Sequence, residues 1–175
     1  MRIFLALPLW QTLDTAAWKQ LLGSDRIRWV PAHQLHLTLR FKGEITEEHL
    51  PSVSVGLRNT ARRFPPFSLR WDRTGVFPNW RDPRVLWVGI QQPGAERICQ
   101  IAAHLGNASI TPHVTVGRVK RRLTRETLCR WKTVKPPDGD VHVKDICLVR
   151  SVLTPQGPVY TILESADLEG AITNE

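Results

Sequence analysis

A pattern of histidine, aliphatic residue, threonine and aliphatic residue occurs twice in this chain of 175 residues. The first copy is residues 36–39 (HLTL) and the second is residues 113–116 (HVTV), and both lie in stretches typical of β-strands. Because side chains alternate between the two faces of a strand, the histidine and threonine of each copy share one face. The aliphatic residues, and Phe41 after the first copy, are expected on the buried face. The repeat therefore predicts two anchored strands, each presenting an imidazole beside a hydroxyl.

Two such strands brought together would frame a small polar cleft that suits phosphodiester hydrolysis. That reaction needs a base to deprotonate water and an acid to protonate the departing alkoxide. Histidine, with an ordinary pKa near 6.5, serves in either role near neutral pH. Hydroxyls can donate hydrogen bonds to the phosphate oxygens as charge develops on them. We predict His36 and His113 as the acid–base pair and Thr38 and Thr115 as substrate-binding groups, although the two copies are too alike to show which histidine is the acid.

The sequence does not predict a metal site. His33 and His36 are three positions apart, which places them on opposite faces of a strand, and neither motif contains a carboxylate. The three cysteines are odd in number and widely spaced, which is a poor framework for zinc or for disulfides. We therefore expect no metal and no other cofactor.

Composition favours a cytoplasmic protein with an anionic partner. The formal net charge of +8 is typical of proteins that bind polyanions such as nucleic acid. Hydrophobic residues make up 42% of the chain, which is enough for a buried core. Free thiols indicate a reducing compartment. No stretch approaches the roughly 20 apolar residues that a membrane span requires.

Local patterns predict an α+β fold with mainly antiparallel sheets, in a single domain over residues 1–175. Thr12 or Asp14 is expected to cap a first helix that Gly23 ends, and the segment Gly75–Pro83 is expected to be a turn. Strands are predicted at 2–7, 35–42, 67–71, 84–90, 113–119, 141–152 and 158–164, and further helices at 47–63, around 98–105 and at 125–132.

The paired motifs resemble those of the 2H phosphoesterase superfamily. Their surroundings are similar to its RNA 2′,3′-cyclic phosphodiesterase branch, also known as 2′–5′ RNA ligase-like proteins. The landmarks of this resemblance run in order through nearly the whole chain: residues 2–7 (RIFLAL), 34–35 (QL), 41–44 (FKGE), 77–79 (FPN), 84–89 (RVLWVG), Pro112, 148–151 (LVRS) and 157–160 (GPVY).

The resemblance implies a two-lobed 2H phosphoesterase fold, in which antiparallel sheets line a central cleft, helices lie outside, and each of two pseudo-symmetric lobes carries one motif. It implies hydrolysis of RNA 2′,3′-cyclic phosphate ends to 2′-phosphomonoesters, with His36 as proton donor and His113 as proton acceptor. Reverse 2′–5′ RNA ligation follows from microscopic reversibility. One mild departure is Gly117, where similar proteins often carry Ala or Leu.

Three basic residues near the motifs are candidates for binding phosphate. Arg118 resembles a common arginine of the family, but strict alternation places it on the Val114 face, so it reaches phosphate only if the strand twists or ends there. Arg40 and Lys42 share the His36 face by the same rule and are expected to attract a polyanion.

The sequence also suggests places for two tryptophans and leaves two alternative functions open. Trp80 is a candidate for stacking on a base, whereas Trp87 is expected in the core. The chain could instead be a non-catalytic module that binds RNA ends, or a phosphodiesterase for small cyclic nucleotides. The partner we expect is RNA with a 2′,3′-cyclic phosphate end, bound by a monomer without a membrane or an obligate protein partner.

Overall fold

The structure, a computed structural model, describes residues 1–171. Within that range the chain forms ten strands and four α-helices. The strands are β1 (Arg2–Pro8), β2 (Ile27–Trp29), β3 (His36–Glu44), β4 (Phe67–Leu69), β5 (Trp71–Phe77), β6 (Val85–Ile90), β7 (His113–Val119), β8 (Val141–Val143), β9 (Asp145–Thr154) and β10 (Gly157–Asp167). The helices are α1 (Thr15–Leu22), α2 (Leu50–Arg63), α3 (Gly94–His104) and α4 (Arg125–Thr133).

Two four-stranded antiparallel sheets hold the two motifs. The first sheet has the order β10-β9-β1-β3 and the second has the order β2-β7-β6-β5, while β4 and β8 form a separate ribbon. Strand β3, which begins at His36, lies beside β7, which begins at His113. The expected α+β fold with antiparallel sheets around a cleft is confirmed. The expectation of a single domain over residues 1–175 stays a prediction, since residues 172–175 lie outside the described range.

One hydrophobic core joins both sheets and anchors both motifs. Leu37 and Leu39 from β3 and Val114 and Val116 from β7 are all fully buried in the same cluster. Helix α2 contributes Val53, Leu57 and Ala61 to this core, on the apolar side of the first sheet. The aliphatic residues of each motif thus anchor its strand in the core, and the polar residues face the cleft.

Helix α1 begins and ends as its sequence predicts. The side chain of Asp14 accepts a hydrogen bond from the backbone N–H of Ala17 at 3.0 Å, which satisfies one of the unpaired donors of the first turn. Gly23 follows the last turn with φ of 79°, a left-handed conformation that glycine adopts without strain. None of the helices in residues 1–171 is long and apolar enough to cross a bilayer.

Each motif strand contains a β-bulge at the residue after its threonine. Ala6 of β1 pairs with Thr38, but Leu5 pairs with Arg40, so Leu39 is an extra residue. The same irregularity in β7 makes Val116 extra, because its neighbours Thr115 and Gly117 pair with consecutive residues of β6. An extra residue reverses which face the following side chains take. The two strands therefore depart from simple alternation at equivalent places.

The bulges correct two expectations about β3. Phe41 is 53% exposed and pairs with Phe4 on the cleft side, so it does not point into the core. Arg40 pairs with Leu5, whose side chain is in the core, so Arg40 turns away from the His36 face.

Two strands differ from the sequence prediction. Strand β2 has only three residues, and β5 extends over residues expected to be a turn. Gly75 lies within β5, where the ring of Trp87 from β6 occupies the place of a side chain. Glycine at this position therefore reflects close packing against a ring, whereas the sequence suggested chain reversal.

Candidate active site

Both histidines line one cavity of about 210 Å³ between the two sheets. His36 is the first residue of β3 and His113 the first residue of β7, so the two side chains enter the cavity from different sheets. Thr38, Thr115 and Arg118 line the same cavity. The structure thus brings together the two histidines, the two threonines and the family arginine that the sequence singled out.

Each imidazole is oriented by a carbonyl of its own chain segment. His36 Nδ1 lies 2.8 Å from the carbonyl oxygen of Gln34, and His113 Nδ1 lies 2.6 Å from that of Thr111. A carbonyl oxygen can only accept, so Nδ1 carries the proton in both rings and Nε2 is the nitrogen available to a substrate. A neutral ring can then accept a proton at Nε2, and a charged ring can donate one from it.

Burial biases both histidines toward the neutral form. Desolvation lowers the pKa of His36 below its ordinary value, and the charges of Arg118 and His113 lower it further, while the hydrogen bond to Gln34 acts in the opposite direction. Desolvation also lowers the pKa of His113, with the hydrogen bond to Thr111 opposing and the charge of Arg118 adding to the effect. An anionic ligand in the cavity would offset these effects.

Aromatic rings pack against each imidazole. The ring of Phe4 stacks on His36 at 4.9 Å between centroids, and Tyr160 meets His36 edge-on at 5.2 Å. On the other sheet, Phe77 meets His113 edge-on at 4.9 Å and Trp87 lies 6.2 Å away. Trp87 is half-buried beside a site residue, which corrects the expectation that it lies in the core.

Arg118 faces the cavity because of the bulge in β7. Thr115 pairs with Trp87 and Arg118 pairs with Val85, two β6 residues that share a face. The arginine is thereby turned onto the side of Thr115 and His113. Its charge lowers the pKa of both histidines, and partly opposes the rise that burial causes in the pKa of Tyr160.

The other basic and aromatic candidates lie elsewhere. Arg40 donates a hydrogen bond to the carbonyl of Leu105 at the end of α3, and with Lys42 it lines a separate cavity of about 250 Å³. The expectation that these two cations face the His36 side is therefore wrong. Trp80 packs under the ammonium of Lys132, with Nζ 4.7 Å from the ring centroid, and is not among the residues that line the cavity between the motifs.

Sequence reasoning missed Arg28 and gave no role to Tyr160, although both line the cavity. Arg28 was missed because the three residues of β2 are too few for a periodicity signal. Its only trace is the alternation of Ile27, Arg28 and Trp29 just before Pro31. Tyr160 lies in the GPVY landmark, which marked the segment as important without indicating why.

No group of three or more His, Cys, Asp or Glu side chains in residues 1–171 is arranged to hold a metal ion. The donors near the cavity are two imidazoles whose Nδ1 atoms are already engaged by carbonyls. The cavity is thus lined by two imidazoles that can carry protons, His36 and His113, and by at least one permanent positive charge, that of Arg118. Such a lining favours an anionic ligand.

Two imidazoles and two hydroxyls on paired sheets define a phosphoesterase-like site, and comparisons with known proteins agree. The family described as LigT like Phosphoesterase matches residues 15–87. An RNA 2′,3′-cyclic phosphodiesterase of Aquifex aeolicus is 33% identical over 158 residues, 82% of each chain. The chain belongs to this LigT-like phosphoesterase family.

Solved structures show the same fold. A crystal structure of a Thermus thermophilus protein superposes with a TM-score of 0.80 at 31% identity, covering 97% of this chain and 99% of the other. Escherichia coli LigT complexed with phosphate gives a TM-score of 0.72 at 27% identity, covering 95% and 96%. The similarity therefore extends over both sheets.

Proposed function

We propose that this protein hydrolyses RNA 2′,3′-cyclic phosphate ends to 2′-phosphomonoesters by paired-histidine acid–base catalysis. The observation that carries the proposal is that two imidazoles enter one cavity from opposite sheets, each with Nδ1 bound to a carbonyl. The activity in the name of the Aquifex aeolicus relative supports the choice of substrate.

His113 is the proposed base and His36 the proposed acid. Neutral His113 accepts a proton at Nε2 from water, and the water oxygen forms a bond to phosphorus. The bond from phosphorus to the ribose 3′-oxygen breaks, and protonated His36 donates its Nε2 proton to that oxygen. The product carries a 2′-phosphate and a 3′-hydroxyl, and a proton exchange with solvent restores both rings. The family resemblance supports this order of roles.

The phosphate itself supplies the charge that His36 needs to act as an acid. Burial and the neighbouring positive charges hold the pKa of His36 low while the cavity is empty. A bound phosphate diester is an anion, and a nearby anion raises the pKa of an imidazole. Substrate binding therefore favours the protonated form of the acid where a proton is to be delivered.

Three other groups are proposed to bind the phosphate. The hydroxyls of Thr38 and Thr115 can donate to the two non-bridging oxygens, one from each sheet. Arg118 can neutralise charge that develops as water adds to phosphorus. These groups bind more strongly as charge develops, which is the condition for lowering the barrier to the reaction.

We also propose that the protein acts in the cytoplasm as a monomer, without a cofactor or an obligate protein partner. Cys99, Cys129 and Cys147, all within the described range, are free, which supports a reducing compartment.

The decisive experiment is product analysis of an RNA oligonucleotide with a terminal 2′,3′-cyclic phosphate, incubated with the protein in EDTA. Conversion to a 2′-phosphate end, identified by ³¹P NMR, is the expected result. Binding without conversion would support the non-catalytic RNA-end module, and conversion only after adding a divalent ion would support a metal hydrolase. Ligation of a 5′-hydroxyl RNA to the cyclic end, assayed at high RNA concentration, tests the reverse reaction.

A further inference from the structure

The cavity contains a second arginine that the proposed acid–base chemistry does not use. Arg28 on β2 lies directly opposite Arg118 on β7, and both side chains line the cavity. Directly opposite residues of antiparallel strands share a face, and like charges in such a pair destabilise the sheet. Among the described residues that line the cavity there is no Asp or Glu to neutralise them. The charges of the two arginines can therefore be neutralised in the cavity by a bound anionic ligand.

A neighbouring arginine on the same pair of chain segments shows the contrast. Arg121, just beyond β7, forms an ion pair of 2.9 Å with Asp25, just before β2. Neither Arg28 nor Arg118 has such a partner within residues 1–171. The unpaired positive charges thus lie inside the cavity, and the paired one lies outside it.

The two arginines occupy different parts of the cavity. Arg118 lies close enough to both rings for its charge to lower the pKa of His36 and of His113. Arg28 reaches toward the β9–β10 turn, where its Nη1 would lie 3.8 Å from a Cβ built on Gly157. Arg28 therefore extends from the second sheet toward the first, on the side of the cavity that the β9–β10 turn lines.

We propose that Arg28 forms a second phosphate subsite, which binds the phosphodiester on the 5′ side of the terminal nucleotide. This inference rests on the proposed function. In an RNA end, the 2′,3′-cyclic phosphate and the 5′ phosphate lie on opposite sides of one ribose. A cyclic phosphate between the histidines and Arg118 leaves the 5′ phosphate on the side of the β9–β10 turn, toward which Arg28 reaches. A nucleoside 2′,3′-cyclic phosphate has no second phosphate, so Arg28 selects RNA ends over small cyclic nucleotides.

Three substrates with the same terminal base test this subsite: a nucleoside 2′,3′-cyclic phosphate, its 5′-phosphorylated form, and a dinucleotide with the same cyclic end. We expect the wild-type protein to have a higher kcat/KM for the last two than for the first. In Arg28→Gln this preference should fall by roughly ten- to a hundredfold, the usual effect of losing one charge-assisted hydrogen bond. Arg62→Gln removes the same charge from the exposed end of α2 and should keep the wild-type preference.

The other outcomes distinguish failure of the Arg28 subsite from failure of the proposed function. An unchanged preference in folded Arg28→Gln would overturn the subsite, as would a wild-type preference for the dinucleotide without one for the 5′-phosphorylated nucleoside. Failure of the wild-type protein to hydrolyse any of the three would overturn the proposed function instead. If Arg28→Gln does not fold, Arg28→Lys and Arg28→Ala replace it. The subsite predicts that folded Arg28→Lys, which keeps the charge, retains part of the preference and that folded Arg28→Ala loses it completely. Full retention of the preference in both variants would overturn the subsite.

Discussion

The two imidazoles proposed as acid and base have backbone partners of the same kind and different aromatic surroundings. Both use Nδ1 to bond the carbonyl two residues earlier. His36 is held between a stacked ring and an edge-on ring, Phe4 and Tyr160, and is the more deeply enclosed of the two. An enclosed imidazole loses more hydration when it is charged, so its protonation depends more strongly on a bound anion. That difference suits the proposed role of His36 as the acid, which must be charged when substrate is present.

Replacing either histidine should remove most of the activity. We expect His36→Ala and His113→Ala each to lower turnover by about 10²–10⁴-fold, since each removes a positioned proton carrier. The double variant should be little worse than either single one, because the two rings act as a unit. His142→Ala is the matched control, because His142 bonds Ser68 on the exposed ribbon away from the cavity. Wild-type turnover in a folded His36 or His113 variant would contradict the mechanism.

The pH dependence should reflect the lowered pKa values of the free protein. The base must be neutral and the acid charged, so kcat/KM should follow a bell whose limbs belong to the coupled pair. Because both pKa values are lowered, both limbs should lie below the ordinary histidine value of about 6.5. The kcat profile should lie at higher pH, because bound phosphate raises both values. Arg118→Gln removes a charge that lowers them and should move kcat/KM to higher pH; a shift to lower pH would contradict this assignment.

Among the elements, the two motif strands show how far the sequence can predict this fold. The aliphatic residues of the motifs are buried as alternation requires, and residues 113–119 form β7 as expected. The predicted cap at Asp14 and the long amphipathic helix ending at Arg63 are also confirmed. These features depend on local periodicity and on capping, both of which can be read within one turn or one strand.

The bulges could not be predicted, because they arise from pairing between distant segments. Leu39 and Val116 look like ordinary strand residues, and only the registers against β1 and β6 show them to be extra. The bulges change which side the basic residues face: Arg118 lies in the cavity, whereas Arg40 does not. Two residues at equivalent distances after the histidines, Phe41 and Arg118, therefore share the cleft side in the two sheets.

Gly75 tests how closely the second sheet is packed behind His113. A methyl group there would overlap the ring of Trp87, which lies beside that histidine. We expect Gly75→Ala to lower the free energy of unfolding by about 1–3 kcal/mol, as overpacking usually does, and to lower kcat. Urea denaturation and steady-state kinetics would measure the two effects, and Trp87→Leu in the same chain should restore part of the stability.

The same substitution in a helix should have the opposite sign. Gly56 lies in the interior of α2, and a Cβ built there meets nothing within 4 Å. Gly56→Ala should raise the free energy of unfolding by about 0.5–1 kcal/mol, because it removes backbone freedom from the unfolded chain. Equal losses of stability in the Gly75 and Gly56 variants would mean that the contact with Trp87 is not the cause.

At the scale of the whole molecule, the positive charge is distributed unevenly with respect to the cavity. The formal net charge is +8, yet Arg40 and Lys42 face a different cavity from the histidines. The arginines that line the cavity between the histidines are Arg28 and Arg118, and we propose that they contact a bound RNA end. Attraction of RNA thus has a long-range part from the overall charge and a short-range part from these two side chains.

Salt should weaken RNA binding more than it weakens binding of a mononucleotide. Each phosphate that the protein neutralises releases counterions, so the logarithm of the binding constant falls more steeply with the logarithm of salt concentration for the longer ligand. Binding by the inactive His36→Ala variant, measured with an oligonucleotide and with a nucleoside cyclic phosphate, gives the two slopes. Equal slopes would show that the protein contacts only the terminal phosphate, and small cyclic nucleotides would then be the better substrate class.

The carbonyls that accept hydrogen bonds from the two rings belong to the main chain, and an amino-acid substitution does not remove a main-chain carbonyl. Replacing Gln34 or Thr111 alters a side chain but leaves in place the oxygen that bonds Nδ1. The protonation pattern of each ring is consequently set by the path of the main chain just before each motif strand. A substitution of either of these two residues that keeps the path of the main chain should therefore leave both histidines in the same tautomer.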